Sequence, residues 1–254
     1  LVSTLAYLWT LEPPKNVTPR KNVVIRYAPI RACSHHAYNE CDFNKERKIY
    51  DYLEEWVRIS ERVWVWSYAL PSHNLHPYPA INALSRNFKE MRDAGVKGHF
   101  VQTAVRHTMT GGLIDLTSYL ITRLMWNPDF DVEKGIEEFA DALYGDAAPY
   151  FVSYVEMVND PDSYDVDASG LHPKCGAKIP LKKEKAKQMD QLFNDAELTV
   201  AAEPETLWRV KLARLSAQYA VLLYADKQDP IRASVAIDFS DTLKRADIPV
   251  PTDI

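Results

Sequence analysis

The sequence predicts an α/β fold, half of a (β/α)8 TIM barrel over residues 1–128, followed by an all-helical domain over residues 129–254. Three observations lead there. Four strand-like runs rich in β-branched and aromatic residues are separated by amphipathic helices or long loops, without tight hairpin signals, which is the pattern of parallel βα units. Beyond about residue 129 the strand pattern stops and only helical periods remain. A complete barrel takes about 250 residues, and the α/β portion is about half that length, so its sheet edges and inward side chains need covering.

The strands are expected in "STLAYLWT" (3–10), "NVVIRYAPI" (22–30), "RVWVWSYAL" (62–70) and "KGHFVQTA" (97–104). Between them, "NKERKIYDYLEEWVRI" (44–59) places Ile49, Leu53, Trp56 and Ile59 on one helical face. "INALSRNFKEMRDAG" (81–95) does the same with Ile81, Leu84, Phe88 and Met91 before a stop at Gly95. The last barrel helix is expected at 113–126. In the helical half, Asp131 reads as an N-cap and Gly145 as the end of the helix that follows, and Pro149 suits the first turn of the next. Three longer helices are expected at about 182–202, 204–226 and 230–246; Pro204 and Pro230 stand at the starts of the last two, where a missing N–H costs nothing. On the first of the three, Met189, Leu192, Phe193, Ala196 and Val200 share a face; on the second, Val210, Ala213, Ala217, Val221 and Tyr224 do.

Composition excludes several classes of function. The 254 residues carry a net charge of −5, with 46% hydrophobic and 26% charged residues, and Lys and Arg are scattered rather than clustered. No stripe that could track phosphates is present, so no nucleic-acid partner is expected. No apolar run reaches the ~20 residues of a membrane span. Leu1 opens directly into a strand pattern, from which a preceding segment, or a partner chain that completes the barrel, is expected. The three cysteines, Cys33, Cys41 and Cys175, are too few for a disulfide framework. "CSHHAYNEC" brings Cys33, His35, His36 and Cys41 together in sequence. Zinc sites usually draw ligand pairs from two separated knuckles, and no second cluster follows, so a loop with ordinary roles is expected, with no metal and no cofactor. A Cys33–Cys41 disulfide is the other pairing open to a secreted chain.

Several segments carry a resemblance. "STLAYLWTLEPPKNVTPRKNVVIRYAPIRACSHH", "ERVWVWSYAL", "HPYPAINALSRNFKEMRDAGVKGHFVQ", "GGLIDLTSYLITRLMWNPDFDVEKGIEEFADALYGDAAPYF" and "AELTVAAEPETLWRVKLARLSAQYAVL" resemble the C-terminal portion of glycoside hydrolase family 163, first catalogued as an uncharacterised domain. The resemblance covers nearly the whole chain. It implies strands five to eight of a (β/α)8 barrel, the last barrel helix and a helical extension. It also implies an endo-acting β-N-acetylglucosaminidase for complex N-glycans, in a bacterial protein that is secreted, periplasmic or held at the cell surface. The chain departs from the family where relatives read "WDY" and it has "WSY", with Ser67 in place of an acid, and where relatives read "GGE" and it has Leu113 after two glycines.

Barrel chemistry sits at the C-terminal ends of the strands. Those ends supply Tyr7 and Trp9, then His36, then Trp66 and Tyr68 with Asn74 in the loop beyond, then Gln102. These are the candidate substrate-binding residues: rings to stack on sugar faces, and amides and an imidazole to bond hydroxyls. Trp66 and Tyr68 share a face, which lines either the barrel interior or a cleft. Trp64, on the face opposite Ser67, is expected to pack with Trp56 between helix and sheet. Two carboxylates are normally needed to hydrolyse a glycoside, and no pair is visible here, so the catalytic residues are expected upstream of Leu1. Three readings follow: part of a glycoside hydrolase whose acids lie upstream, a non-catalytic carbohydrate-binding relative, or an assembly module that completes a barrel with a partner.

Overall fold

A computed structural model describes residues 1–33, 35–68, 75–102, 113–164, 180–249 and 251. The chain divides into two compact units, residues 1–70, 80–103 and 121–130 in the first and 71–79, 104–120 and 131–254 in the second.

The first unit is built on a four-stranded parallel sheet of β1 (Val2–Tyr7), β2 (Val23–Ala28), β3 (Val63–Tyr68) and β4 (Gly98–Gln102), in the spatial order β1-β2-β3-β4. Sequential order is what successive βα units of a barrel produce, and the sheet here is open. Helices α1 (Asp42–Glu46) and α2 (Ile49–Ile59) lie between β2 and β3, and α3 (Ile81–Ala94) lies between β3 and β4. The strands are shorter than their hydrophobic runs, and the reason is visible at β1. Leu8 takes a left-handed backbone (φ 51°) that turns the chain into a short 3-10 helix, and the Thr10 hydroxyl accepts from the Tyr7 N–H at 3.1 Å. The single helix expected over 44–59 is two, because Lys48 is left-handed at φ 54° and begins α2 afresh.

Alternation along the strands separates the two faces of the sheet. Ile25, Tyr27, Val63, Val65 and Ser67 are buried on one side, where the Tyr27 hydroxyl donates to the Ile49 carbonyl of α2 at 2.6 Å and the His99 ring meets Phe88 of α3 at 5.1 Å. α2 buries Ile49, Leu53 and Trp56, and α3 buries Ile81, Ala83, Leu84, Asn87, Phe88 and Met91. Trp56 Nε1 also donates to the Leu11 carbonyl at 2.9 Å, tying α2 to the segment after β1. α3 ends at Gly95, whose φ of 97° places it in the region that glycine alone enters without strain; Gly95 and Val96 return hydrogen bonds to the last turn.

The second unit contains α5 (Val132–Tyr144), α6 (Ala148–Asn159), α7 (Lys183–Thr199), α8 (Pro204–Tyr224) and α9 (Ile231–Arg245); the boundary between units falls inside α4 (Leu113–Trp126). The Asp131 side chain caps α5 by accepting from Lys134 N–H at 3.1 Å. α8 is the central helix, buried at almost every position from Ala213 to Val221, so polar residues on it must find partners. Arg214 does so with α7: its Nε and Nη2 donate to the two carboxylate oxygens of Asp190 at 2.8 and 3.0 Å, and Nη1 donates to Glu197 at 2.9 Å. Gln218 donates to Asp238 of α9 at 2.6 Å. The segment Leu75–Pro79 belongs to this unit. Leu75 packs with Leu215, Tyr219, Phe239, Leu243 and Ile248, and its carbonyl accepts from the Ser216 hydroxyl. His76 Nδ1 donates to the Pro77 carbonyl at 2.6 Å, so in the neutral ring Nε2 accepts from the Tyr224 hydroxyl at 2.8 Å.

Candidate functional site

The face of the sheet opposite α2 and α3 carries Leu5 and Tyr7 from β1, Arg26 from β2, Trp64, Trp66 and Tyr68 from β3, and Phe100 and Gln102 from β4. It is the open face. Trp64 is 38% exposed and Phe100 47%, while Val63 and Val65 on the other side are sealed. The expectation that Trp64 packs with Trp56 between helix and sheet is therefore corrected: Trp56 belongs to α2 on the covered side of the sheet, and Trp64 lies on the opposite face, its indole over Gly98 of the neighbouring strand. Side-chain alternation dictates this, since Trp64 cannot share a face with Val63 and Val65.

The structure brings some of the candidate residues together. Trp66 Nε1 donates to Gln102 Oε1 at 3.2 Å, and the Trp66 ring meets Phe100 edge-on at 4.4 Å. Tyr68 and Tyr7 stand close enough that, after burial, the charge of a Tyr7 phenolate is the next influence raising the Tyr68 hydroxyl above its ordinary pKa. Together these place four rings, Tyr7, Trp66, Tyr68 and Phe100, and the Gln102 amide on the open face. Trp9 is apart from them, in the 3-10 turn and 89% exposed. His36 lies with the cysteines, its Nδ1 3.3 Å from Cys33 Sγ. Asn74 lies outside the described residues.

Ser67 has its own surroundings. It is buried on the helix side, beside the Tyr38 hydroxyl, and it helps line a cavity of about 30 Å³ with Pro29, Cys33, Asn87 and Val101. That volume has room for about two water molecules and none for a sugar ring. An acid at position 67 would face Tyr38 and the helices, not the aromatic face.

No carboxylate projects from the open face of the sheet among the described residues. The carboxyls with raised pKa lie elsewhere. Glu90 of α3 is raised by burial first and by the charge of Glu40 second, with Asn39 and Arg86 opposing. Asp115, in the second unit, is raised by burial. The pairing of Glu40 with Glu90 spans 50 positions of sequence and left no local signal.

The loop after β2 forms a second cluster. Cys33 Sγ, His36 Nδ1 and Cys41 Sγ all lie within 4.8 Å of one another, and neither cysteine is in a disulfide. Asn44, fully buried, holds this loop: its Oδ1 accepts from the Cys33 N–H at 2.7 Å, and its Nδ2 donates to the carbonyls of Cys33 and Ala37 at 3.4 Å. Sequence reading passed over Asn44, which sits in a charged run that looks like helix surface.

No helix among the described residues is long and apolar enough to cross a membrane. No curated protein and no solved structure matches the chain. A family model does match, over residues 1–156, so the chain belongs to the family described as Domain of unknown function (DUF4838).

Proposed function

We propose that this chain supplies the sugar-facing half of a (β/α)8 barrel in an endo-β-N-acetylglucosaminidase-like protein acting on complex N-glycans, with the catalytic acids on strands that the chain does not contain. The observation that carries the reading is the open sheet face, where Trp64, Trp66, Tyr68 and Phe100 stand in adjacent registered positions with Gln102 at the end. Aromatic rings offer flat apolar surface to the C–H faces of sugars, and an amide held by an indole N–H is positioned to bond a hydroxyl. The resemblance to glycoside hydrolase family 163 supports the same reading. Arg26 adds a second argument. It lies on that face between Leu5 and Trp64, and its Nε is buried without a hydrogen-bond partner among the described residues, as expected of a group awaiting an acceptor from the rest of a barrel.

A second reading, a carbohydrate-binding protein without hydrolytic activity, is favoured by the absence of acids on the open face and by Leu113 where relatives carry one. Ser67 does not favour it, since that side chain faces the helices. The test uses a complex N-glycan with a chitobiose core, offered to this chain and to a longer product that includes the preceding strands. Cleavage by the longer product with binding by this chain fits the first reading, and binding without cleavage by either fits the second. Neither binding nor cleavage by either protein would sink both.

A further inference from the structure

We propose that Cys33, His36 and Cys41 form a binding site for a soft divalent cation, zinc by its chemistry. The three donor atoms converge within 4.8 Å, and Cys33 Sγ and His36 Nδ1 are 3.3 Å apart. Around a tetrahedral zinc, with bonds of about 2.3 Å to sulfur and about 2.05 Å to nitrogen, neighbouring ligand atoms stand about 3.5 to 3.8 Å apart. The cluster needs only small side-chain rotations to reach that spacing. Two thiolates and an imidazole are a donor set that favours zinc over magnesium or calcium, which take oxygen ligands.

The backbone that carries the ligands is already held. Asn44 grips Cys33 through both its N–H and its carbonyl and also reaches the Ala37 carbonyl. The Cys41 carbonyl accepts from Asn44 N–H and Lys45 N–H, each at 2.9 Å, in the first turn of α1. Asn87 of α3 accepts from the Tyr38 N–H at 2.8 Å, fixing the middle of the loop. A loop whose backbone is bonded at both cysteines and between them places its donors without the metal, which is how selective sites limit the cost of binding. Three protein ligands leave one tetrahedral position for water or an outside ligand. The proposal does not depend on the carbohydrate reading.

A disulfide between the same two cysteines is the competing chemistry, and His36 separates the two, because a disulfide has no use for an imidazole. The experiment takes the whole chain, fully reduced, and titrates it with cobalt(II) while recording thiolate-to-metal charge-transfer absorption, then displaces the cobalt with zinc. One equivalent bound, with the band lost in Cys33→Ser and Cys41→Ser and kept in Cys175→Ser, supports the site. His36→Ala should weaken binding by at least about tenfold, and zinc should raise the melting temperature of the unaltered protein but not of these variants. Far-UV circular dichroism checks that each variant is folded. The proposal is overturned by the absence of a charge-transfer band at stoichiometric cobalt together with no thermal shift on adding zinc. A band that survives loss of both cysteines, or an affinity indifferent to His36→Ala, overturns it equally.

Discussion

The indole of Trp64 lies over Gly98 so closely that a Cβ on residue 98 would fall 2.9 Å from the ring atoms. The two residues are registered partners on adjacent parallel strands, and the ring leans toward the one that carries no side chain. The glycine is there to make room, since its own φ is not in the left-handed region. Gly98→Ala should therefore push the indole away and cost about 1–3 kcal/mol, the usual cost of overpacking. Urea denaturation followed by tryptophan fluorescence measures it. Adding Trp64→Ala to Gly98→Ala should recover part of the loss, and strict additivity of the two changes would contradict the contact.

The Asp190–Arg214 pair joins α7 to α8, with side chains only 1% and 9% exposed. Asp190 and Glu197, through hydrogen bonds and charge, hold the Arg214 pKa above its ordinary value against the opposing effect of burial. Removing Asp190 leaves the Arg214 Nε and Nη2 buried without partners, with only Nη1 still held by Glu197, so Asp190→Ala should lose about 3 kcal/mol of stability. Replacing both residues with leucine should lose much less. Equal losses in the single and double variants would show that packing, not the orphaned guanidinium, sets the cost.

Glu90 predicts a pH dependence whose sign follows from its cause. Burial and the nearby Glu40 raise its pKa in the folded protein, so the folded state holds the proton more tightly than the unfolded chain does. Its stabilising contribution is complete below the ordinary carboxylate pKa and is lost as pH rises through the raised folded value. Glu90→Gln should thus raise the melting temperature at neutral pH, and the difference should disappear below about pH 4. A variant equally stable with the unaltered protein at every pH would refute the argument.

If the open face binds sugar, Trp66 is the ring whose loss should matter most, because it also positions Gln102. Trp66→Ala should weaken binding of a chitobiose-containing glycan about tenfold, equivalent to about 1.4 kcal/mol. Trp66→Phe keeps a ring but frees the Gln102 amide, and should fall between. Calorimetric titration reads both, and unchanged affinity in Trp66→Ala would remove this face from recognition.

Much of the fold was legible because hydrophobic period is a local property. The alternation in "VWVWSY" marks a strand with two unlike faces, and the spacing of Ile81, Leu84, Phe88 and Met91 marks a helix that ends at Gly95. The break at Lys48 was not legible, since a lysine in a charged run carries no signal for a left-handed backbone. Nor was the role of Asn44, whose partners are backbone groups and therefore leave no complementary side chain to search for.

The sequence by itself determined the order of strands and helices, the parallel sheet, and the change to an all-helical region, because each follows from residues within a few positions of one another. Only tertiary structure decided which side of β3 the helices cover. That choice sends Trp64 to the open face and Ser67 to the helices, and it depends on the register of β3 with β2 and β4. Tertiary structure also drew Cys33, His36 and Cys41 to a single point and set Glu90 beside Glu40. Such groupings arise from how the loop after β2 folds against α1 and α3, and spacing along the chain does not encode a distance through space.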